Sequence, residues 1–380
     1  MPLTQCVHQM LVSTELGGAG RIAVNIAKYL HENVGESRVW VPGPGTAEEK
    51  AKELGLISHF YDGSEVFSSS RIKVMVRNWK LRQAFYPYRG NLIHVHSPLH
   101  YGSFSGGIKA SRLTSVVHIH LPEEEDSLAQ TLRTPPNIII TCAEFLVDYV
   151  RKTLPLRHQE SQRIVCIRNA VDTERFRPGK KADAKQKIGV PANALLVVMV
   201  ANIAPHKGQE TVIRVAANLK GEGISPLFWL VGDERNGKRD YTSYLRSLSV
   251  ELGVADRVCF VGERNDIPDV LRAADVFLLP SSSEGLPLSI LEAQASGVPV
   301  LASPTAGIPE IIVDGQTGFL IPPNDINAYA TRIKSLLSNC SLSHYMIERA
   351  YANILAKHQW KTYCEKLNEI YQELIDRNER

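Results

Sequence analysis

Two carboxylates, Glu284 and Glu292, stand with seven residues between them in SSSEGLPLSILEAQASGVPV, residues 281–300, a segment that carries no other charge. Pro287 suits the first turn of a helix, where its missing N–H is no loss. Glu284 then falls in the loop before that helix and Glu292 about two turns inside it, roughly 8 to 12 Å further along. That spacing is too long for an acid and a nucleophile sharing one bond-breaking event, which stand about 5 to 9.5 Å apart in glycosidases. A carboxylate only accepts hydrogen bonds, and sugar or ribose hydroxyls donate them, so the pair reads as two grips on one nucleotide sugar. The plainer alternative is a helix N-terminal charge plus a surface glutamate.

Other chemistry-bearing stretches accompany it. In ANIAPHKGQETVIRVA, residues 201–216, Lys207 precedes Gly208 and an amphipathic helix, where an ammonium can reach a phosphate lodged at the helix start; the alternative is a solvated surface charge. ELGGAGRIAVNIAKYL, residues 15–30, places Gly18, Gly20 and Ala23 at the loose G-x-G-x-x-G/A spacing. The strand RVWVP that follows ends without the acid that a nicotinamide dinucleotide's ribose requires, which leaves a glycine turn bringing N–H groups to an anion, or a turn needed only for packing. TSVVHIHLP carries His118 and His120, NLIHVHSP carries His94 and His96, and alternation puts each pair on one face of its strand. Ligation of a metal would need these histidines to converge, which spacing alone does not display; no metal site is expected.

The elements that must position these groups are short β-branched runs alternating with amphipathic stretches, the mark of βαβ units around a buried parallel sheet. Strands are predicted at 6–13, 38–42, 91–96, 114–120, 137–141 and 163–167, and, after a charged linker at 169–183, at 194–201, 226–232, 257–262, 275–280 and 298–303. Two doubly wound α/β domains follow, residues 1–170 and 171–357, with the cleft between them as the expected site. The tail is helical by spacing, with Trp360, Tyr363, Leu367, Ile370, Tyr371 and Leu374 on one face, and a final helix at about 358–380 is expected to pack back on the first domain.

Composition agrees. The 380 residues are 44% hydrophobic and 22% charged, enough for a large core, and no run approaches the roughly 20 apolar residues of a membrane span. The N-terminus lacks the layout of a secretion signal, so a cytoplasmic protein is expected, with six scattered cysteines as free thiols. Net charge is +3, yet residues 1–180 hold 22 Lys and Arg against 17 Asp and Glu. No acid lies between Glu65 and Glu123, a gap holding eight basic residues from Arg71 to Arg112. Within it, residues 70–90 interleave Ile72, Met75, Trp79 and Leu81 with basic residues; this helix could lie on an anionic membrane surface at the cytoplasmic face, or it could face the core with a solvated charged side. Nucleic acid is excluded for want of any binding motif.

In order, GGAGR, NAVDTERFRP, ANIAPHKG, PSSSEGLPLSILEAQASGVPV, SPTAGIPEII and DGQTGFLIPP resemble the retaining glycosyltransferases of the two-domain GT-B fold, the group 1 and family 4-like enzymes. The resemblance covers nearly the whole chain, most strongly 160–325, and Glu284 and Glu292 match that family's E-x7-E motif. It implies that Glu284 contacts the donor sugar's hydroxyls, Glu292 the nucleotide ribose, and Lys207 the diphosphate. The N–H groups of Leu286 and Leu288, beside Gly285, assist Lys207. Gly17 and Gly18 form the loop over the phosphates, and His120, or His118 within a two-residue slip, lies near the sugar. The family's arginine five residues before the lysine is replaced here by Asn202, whose amide has neither the charge nor the bidentate reach; either the diphosphate leans on Lys207 and backbone dipoles, or another basic residue, Arg264 or Arg21, moves in.

The implied reaction moves a sugar from a nucleotide-diphosphate donor to an acceptor hydroxyl with configuration retained, in envelope, lipid or polysaccharide glycoconjugate synthesis. It uses no cofactor, and without any D-x-D triplet no divalent metal is expected. The first domain would bind the acceptor, an anionic lipid or a saccharide, and the second the donor. The alternatives are a catalytically silent scaffold of the same fold and a nucleotide-sugar epimerase.

Overall fold

The computed structural model describes residues 5–63, 70–234 and 239–378. It divides into two compact units, Met1–Arg168 with Thr362–Arg380, and Asn169–Lys361.

In unit 1, strands β1 (Val7–Met10), β2 (Ser37–Val41), β3 (Ile57–Phe60), β4 (Leu92–Val95), β5 (Thr114–Ile119), β6 (Ile138–Thr141) and β7 (Ile164–Cys166) form a sheet of order β3-β2-β1-β4-β5-β6-β7. Every pairing is parallel. Unit 2 repeats the plan with β8 (Leu196–Val200), β9 (Leu227–Val231), β10 (Val258–Gly262), β11 (Val276–Leu279), β12 (Val300–Ala302) and β13 (Phe319–Leu320), in the order β10-β9-β8-β11-β12-β13. This is an α/β architecture of two doubly wound parallel sheets. Both faces of such a sheet are covered, which is why its central strands lie buried almost throughout, polar residues such as Gln9, His94 and His118 included.

The order reverses between β1 and β4 in unit 1 and between β8 and β11 in unit 2. At such a switch point the connections leave in opposite directions and open a crevice at the strands' carboxyl ends. Pairing of Val197 with Val276 and Val198 with Phe277 brings the loops after β8 and β11 side by side, although they are far apart in the chain.

β3 and β13 are absent from the sequence expectations. Both are edge strands: β3 exposes Ile57 and Phe60, and β13 is two residues long, so neither carries the continuous apolar run of a central strand. The tail is helical as its spacing predicts, with helices Ile326–Ser338, Cys340–Lys357 and Trp360–Asn378. From Thr362 onward the last helix belongs to unit 1, where it buries Tyr363, Leu367 and Tyr371; residues 379–380 lie outside the described residues.

The helix Arg71–Phe85 turns Leu81 and Phe85 inward together with Arg77, whose guanidinium donates to the Ser103 carbonyl at 2.6 Å. Ile72, Met75 and Trp79 face out, 72, 66 and 59% exposed. Of the two readings of this helix, the core-facing one with a solvated charged side holds for Leu81 and not for Ile72, Met75 and Trp79. Among the described residues, no helix is long and apolar enough to cross a membrane, and none of the six cysteines forms a disulfide.

Candidate active site

The loop after β8 narrows into a 3-10 turn, Pro205–Lys207, and then Gly208 starts the helix Gln209–Gly221. Gly208 has φ +84°, and a Cβ there would stand 2.3 Å from the Pro280 carbonyl oxygen. Only glycine fits a left-handed turn pressed this closely on backbone. The turn is tied to the segment after β11: Ser281 Oγ donates to the Lys207 carbonyl at 3.2 Å, and the Ser282 N–H to the His206 carbonyl at 2.9 Å.

Held in this way, Lys207 Nζ reaches Glu284 Oε1 at 2.8 Å, with side chains 14% and 7% exposed. Each of these largely desolvated groups has the other as its partner. Beside it the helix Leu288–Ala295 begins with no side-chain cap. Among the described residues the N–H groups of Leu286 and Leu288 have no acceptor. Uncapped donors and the positive end of the helix dipole, next to an ammonium, suit an anion. Asn169 fixes this loop from behind, its Nδ2 donating to the Leu286 carbonyl at 2.7 Å while its own carbonyl accepts from His358 Nδ1 at 2.9 Å. A cavity of about 530 Å³ lined by Pro205, His206, Gly208 and Ser282 flanks the ion pair without including it.

The remaining donor-side residues depart from expectation in detail. Pro287 is the residue before the helix rather than its first turn, with φ −69° and ψ 122°. Glu292 is thus the fifth residue of an eight-residue helix, one turn in rather than two, and it is buried. The backbone carbonyl of Asn202 accepts from Gln209 Nε2 at 3.0 Å. Arg264 is held by Asp266 through bonds of 2.8 and 2.5 Å and lies over the Trp229 ring. This engagement lowers the Asp266 pKa and raises that of Arg264. To stand in for the missing arginine, Arg264 would have to leave its carboxylate. Arg21 is exposed in unit 1 and, among the described residues, makes no ion pair.

In unit 1, Gly17 precedes the helix Gly18–Asn33, again with no side-chain cap, and a Cβ at Gly18 would meet nothing within 4 Å. The open space fits a loop that leaves room for a ligand as well as one serving packing. The stripe Ile22, Ala23, Ile26, Ala27 and Leu30 buries the helix on the sheet.

His120 follows β5 and is half-buried, whereas His118 inside the strand is fully buried. His120 Nε2 lies 3.2 Å from His96 Nδ1, and His96 Nε2 lies 2.8 Å from Gln9 Oε1. Gln9 Nε2 donates to the Tyr371 hydroxyl at 3.3 Å, which stands 2.6 Å from His94 Nδ1. The four histidines therefore converge, a feature that the spacing of two HxH pairs does not reveal. In the sequence Gln9 and Tyr371 carry no signal beyond a strand position and a buried helical stripe, and Asn169 stands at the start of the charged linker.

Residues 16–175 match the family model for Glycosyltransferase Family 4 and residues 180–353 that for Glycosyl transferases group 1. The D-inositol 3-phosphate glycosyltransferase of Mycobacteroides abscessus is 30% identical over 304 residues, which cover 75% of this chain and 66% of the relative. The enzyme of that name from Mycobacterium tuberculosis is 32% identical over 231 residues, 60% of this chain and 47% of the relative. The chain thus spans between about half and just under two thirds of the length of these curated relatives. Among solved structures, HepE of Anabaena in complex with UDP-glucose superposes with a TM-score of 0.84 at 20% identity, covering 97% of this chain and 99% of that one. Sucrose-phosphate synthase from Thermosynechococcus elongatus gives 0.80 at 20% identity, covering 98% and 99%. These likenesses establish the fold as GT-B. With two family matches running in succession from residue 16 to residue 353, the chain belongs to the family 4 and group 1 glycosyltransferases.

Proposed function

We propose that this chain is a retaining glycosyltransferase that moves a sugar from a nucleotide diphosphate to an acceptor hydroxyl, with unit 2 binding the donor and unit 1 the acceptor. The observation that carries the reading is the buried Lys207–Glu284 pair beside the uncapped helix Leu288–Ala295. In the reaction the bond from the anomeric carbon to the diphosphate breaks, the acceptor oxygen bonds to that carbon on the same face, and the acceptor's proton passes to the departing phosphate. Negative charge grows on the diphosphate, so Lys207 and the amides of Leu286 and Leu288 favour the transition state over the ground state. Glu284 accepts from sugar hydroxyls and Glu292 from the ribose. With these positive groups in place the transfer step needs no divalent ion at the diphosphate. HepE of Anabaena, of the same fold, is described with UDP and glucose, which supports a nucleotide-sugar donor here.

The acceptor is an anionic lipid or a saccharide of a glycoconjugate pathway. The outward apolar residues Ile72, Met75 and Trp79, with Lys73 and Arg82 exposed on the same helix, support contact with an anionic membrane surface.

A thermal-shift panel of UDP, GDP and ADP with their sugars tests the donor. A ligand at 100 times its dissociation constant adds about 2.7 kcal/mol, so the correct base raises the melting temperature clearly. No shift with any nucleotide would end the reading; a shift with no transfer to any acceptor would leave the silent-scaffold alternative, for which Asn202 is the only feature.

A further inference from the structure

We propose that unit 1 contains a second site, a buried imidazole cage formed by His94, His96 and His118 that binds one late first-row transition-metal ion, with zinc as its test metal.

One ring nitrogen from each of the three falls within 4.8 Å of the others, and all three side chains are buried. Strand register brings this about. Gln9, His94 and Val116 are aligned across β1, β4 and β5, and two-residue periodicity adds His96 and His118 to the same face. The rings stack, with centroids 4.2 Å apart for His94 and His96 and 5.4 Å for His94 and His118.

The hydrogen-bond inventory is incomplete in a specific way. His94 Nδ1 meets the Tyr371 hydroxyl, and both nitrogens of His96 are engaged, by Gln9 and His120. His94 Nε2 and both nitrogens of His118 are buried with no hydrogen-bond partner among the described residues. A neutral imidazole has one donor and one acceptor, and each buried group left unmet is destabilising. A metal ion takes up the orphaned acceptors of His94 and His118 together, which no single protein group nearby does.

The chemistry of the donors selects the metal. Imidazoles without a carboxylate suit zinc, copper or nickel and not magnesium or calcium. An outer shell is already built. Gln9 Oε1 can only accept, so His96 carries its proton on Nε2, and its Nδ1, now 3.2 Å from His120 Nε2, joins the ion by exchanging that contact, while the Tyr371 hydroxyl orients His94 through the nitrogen that leaves Nε2 available. Tetrahedral zinc–imidazole bonds of about 2.0 to 2.1 Å place ligand nitrogens roughly 3.4 Å apart, so modest ring rotation closes the cage. The ion lies in unit 1.

The test uses the full chain, stripped with a chelator, given excess zinc chloride and gel-filtered, with metal measured by atomic emission. One zinc per folded chain is expected, falling to background in His94→Ala and His118→Ala. Cobalt substitution of the wild-type chain should give visible ligand-field bands of a nitrogen-ligated tetrahedral site, a readout that holds even where a variant does not fold. Folded wild-type protein that retains no zinc and shows no cobalt bands overturns the proposal, leaving buried water as the partner of these nitrogens. Zinc retained undiminished by folded His94→Ala, His118→Ala double variants overturns it equally.

Discussion

Lys207 Nζ and Glu284 Oε1 stand 2.8 Å apart at the carboxyl ends of β8 and β11, largely removed from solvent. Removing one member leaves the other desolvated and alone, whereas removing both does not. Lys207→Ala and Glu284→Ala should each cost about 3 kcal/mol of stability, and the double variant less than the sum of the two. Urea denaturation of the four proteins checks this; strictly additive losses would show that the pair is not coupled.

The same two substitutions should lower turnover at least about 100-fold, in line with the loss of one preorganised charge at the site of charge development. Steady-state transfer assays on folded protein decide it. Near-normal turnover in both would remove the site from this location.

Gly208→Ala should be far more damaging than an ordinary glycine-to-alanine change, because the new Cβ meets the Pro280 carbonyl oxygen at 2.3 Å in a residue of φ +84°. The urea midpoint should fall with the m-value unchanged. An unchanged midpoint would mean the turn can relax away from Pro280.

Acid should destabilise unit 1 well before its carboxylates titrate. Burial, with help from Arg38, depresses His8 to about 3, and burial depresses His100 to about 4, against an ordinary 6.5. Between 6.5 and these values the unfolded chain binds protons that the folded chain refuses, so stability present above 6.5 is lost as pH falls. A His8→Gln, His100→Gln variant should show a shallower fall of melting temperature between pH 6.5 and 5. Parallel curves for the two proteins would show that these histidines do not titrate on unfolding.

The exposed face of the helix Arg71–Phe85 should sediment with anionic vesicles at low salt and release as salt rises. Replacing Ile72 and Trp79 with serine should abolish the binding; no sedimentation of the wild-type chain would remove the membrane contact.

What the residues settled alone is what depends on periodicity and local chemistry. Continuous Val, Ile and Leu runs identify buried parallel strands, and the E-x7-E segment with its neighbours identifies a family, because both are written in consecutive residues. Edge strands β3 and β13 escaped, since an edge needs no unbroken apolar run, and the Arg71–Phe85 helix could not be oriented, since its apolar and basic residues interleave without one clear stripe. Convergence belonged to the tertiary structure. Lys207 meets Glu284 because β8 pairs with β11, and His94, His96 and His118 meet because β4 lies beside β5 in one particular register. A shift of one residue would send either histidine pair to the opposite face of the sheet, and nothing local to HxH specifies that alignment.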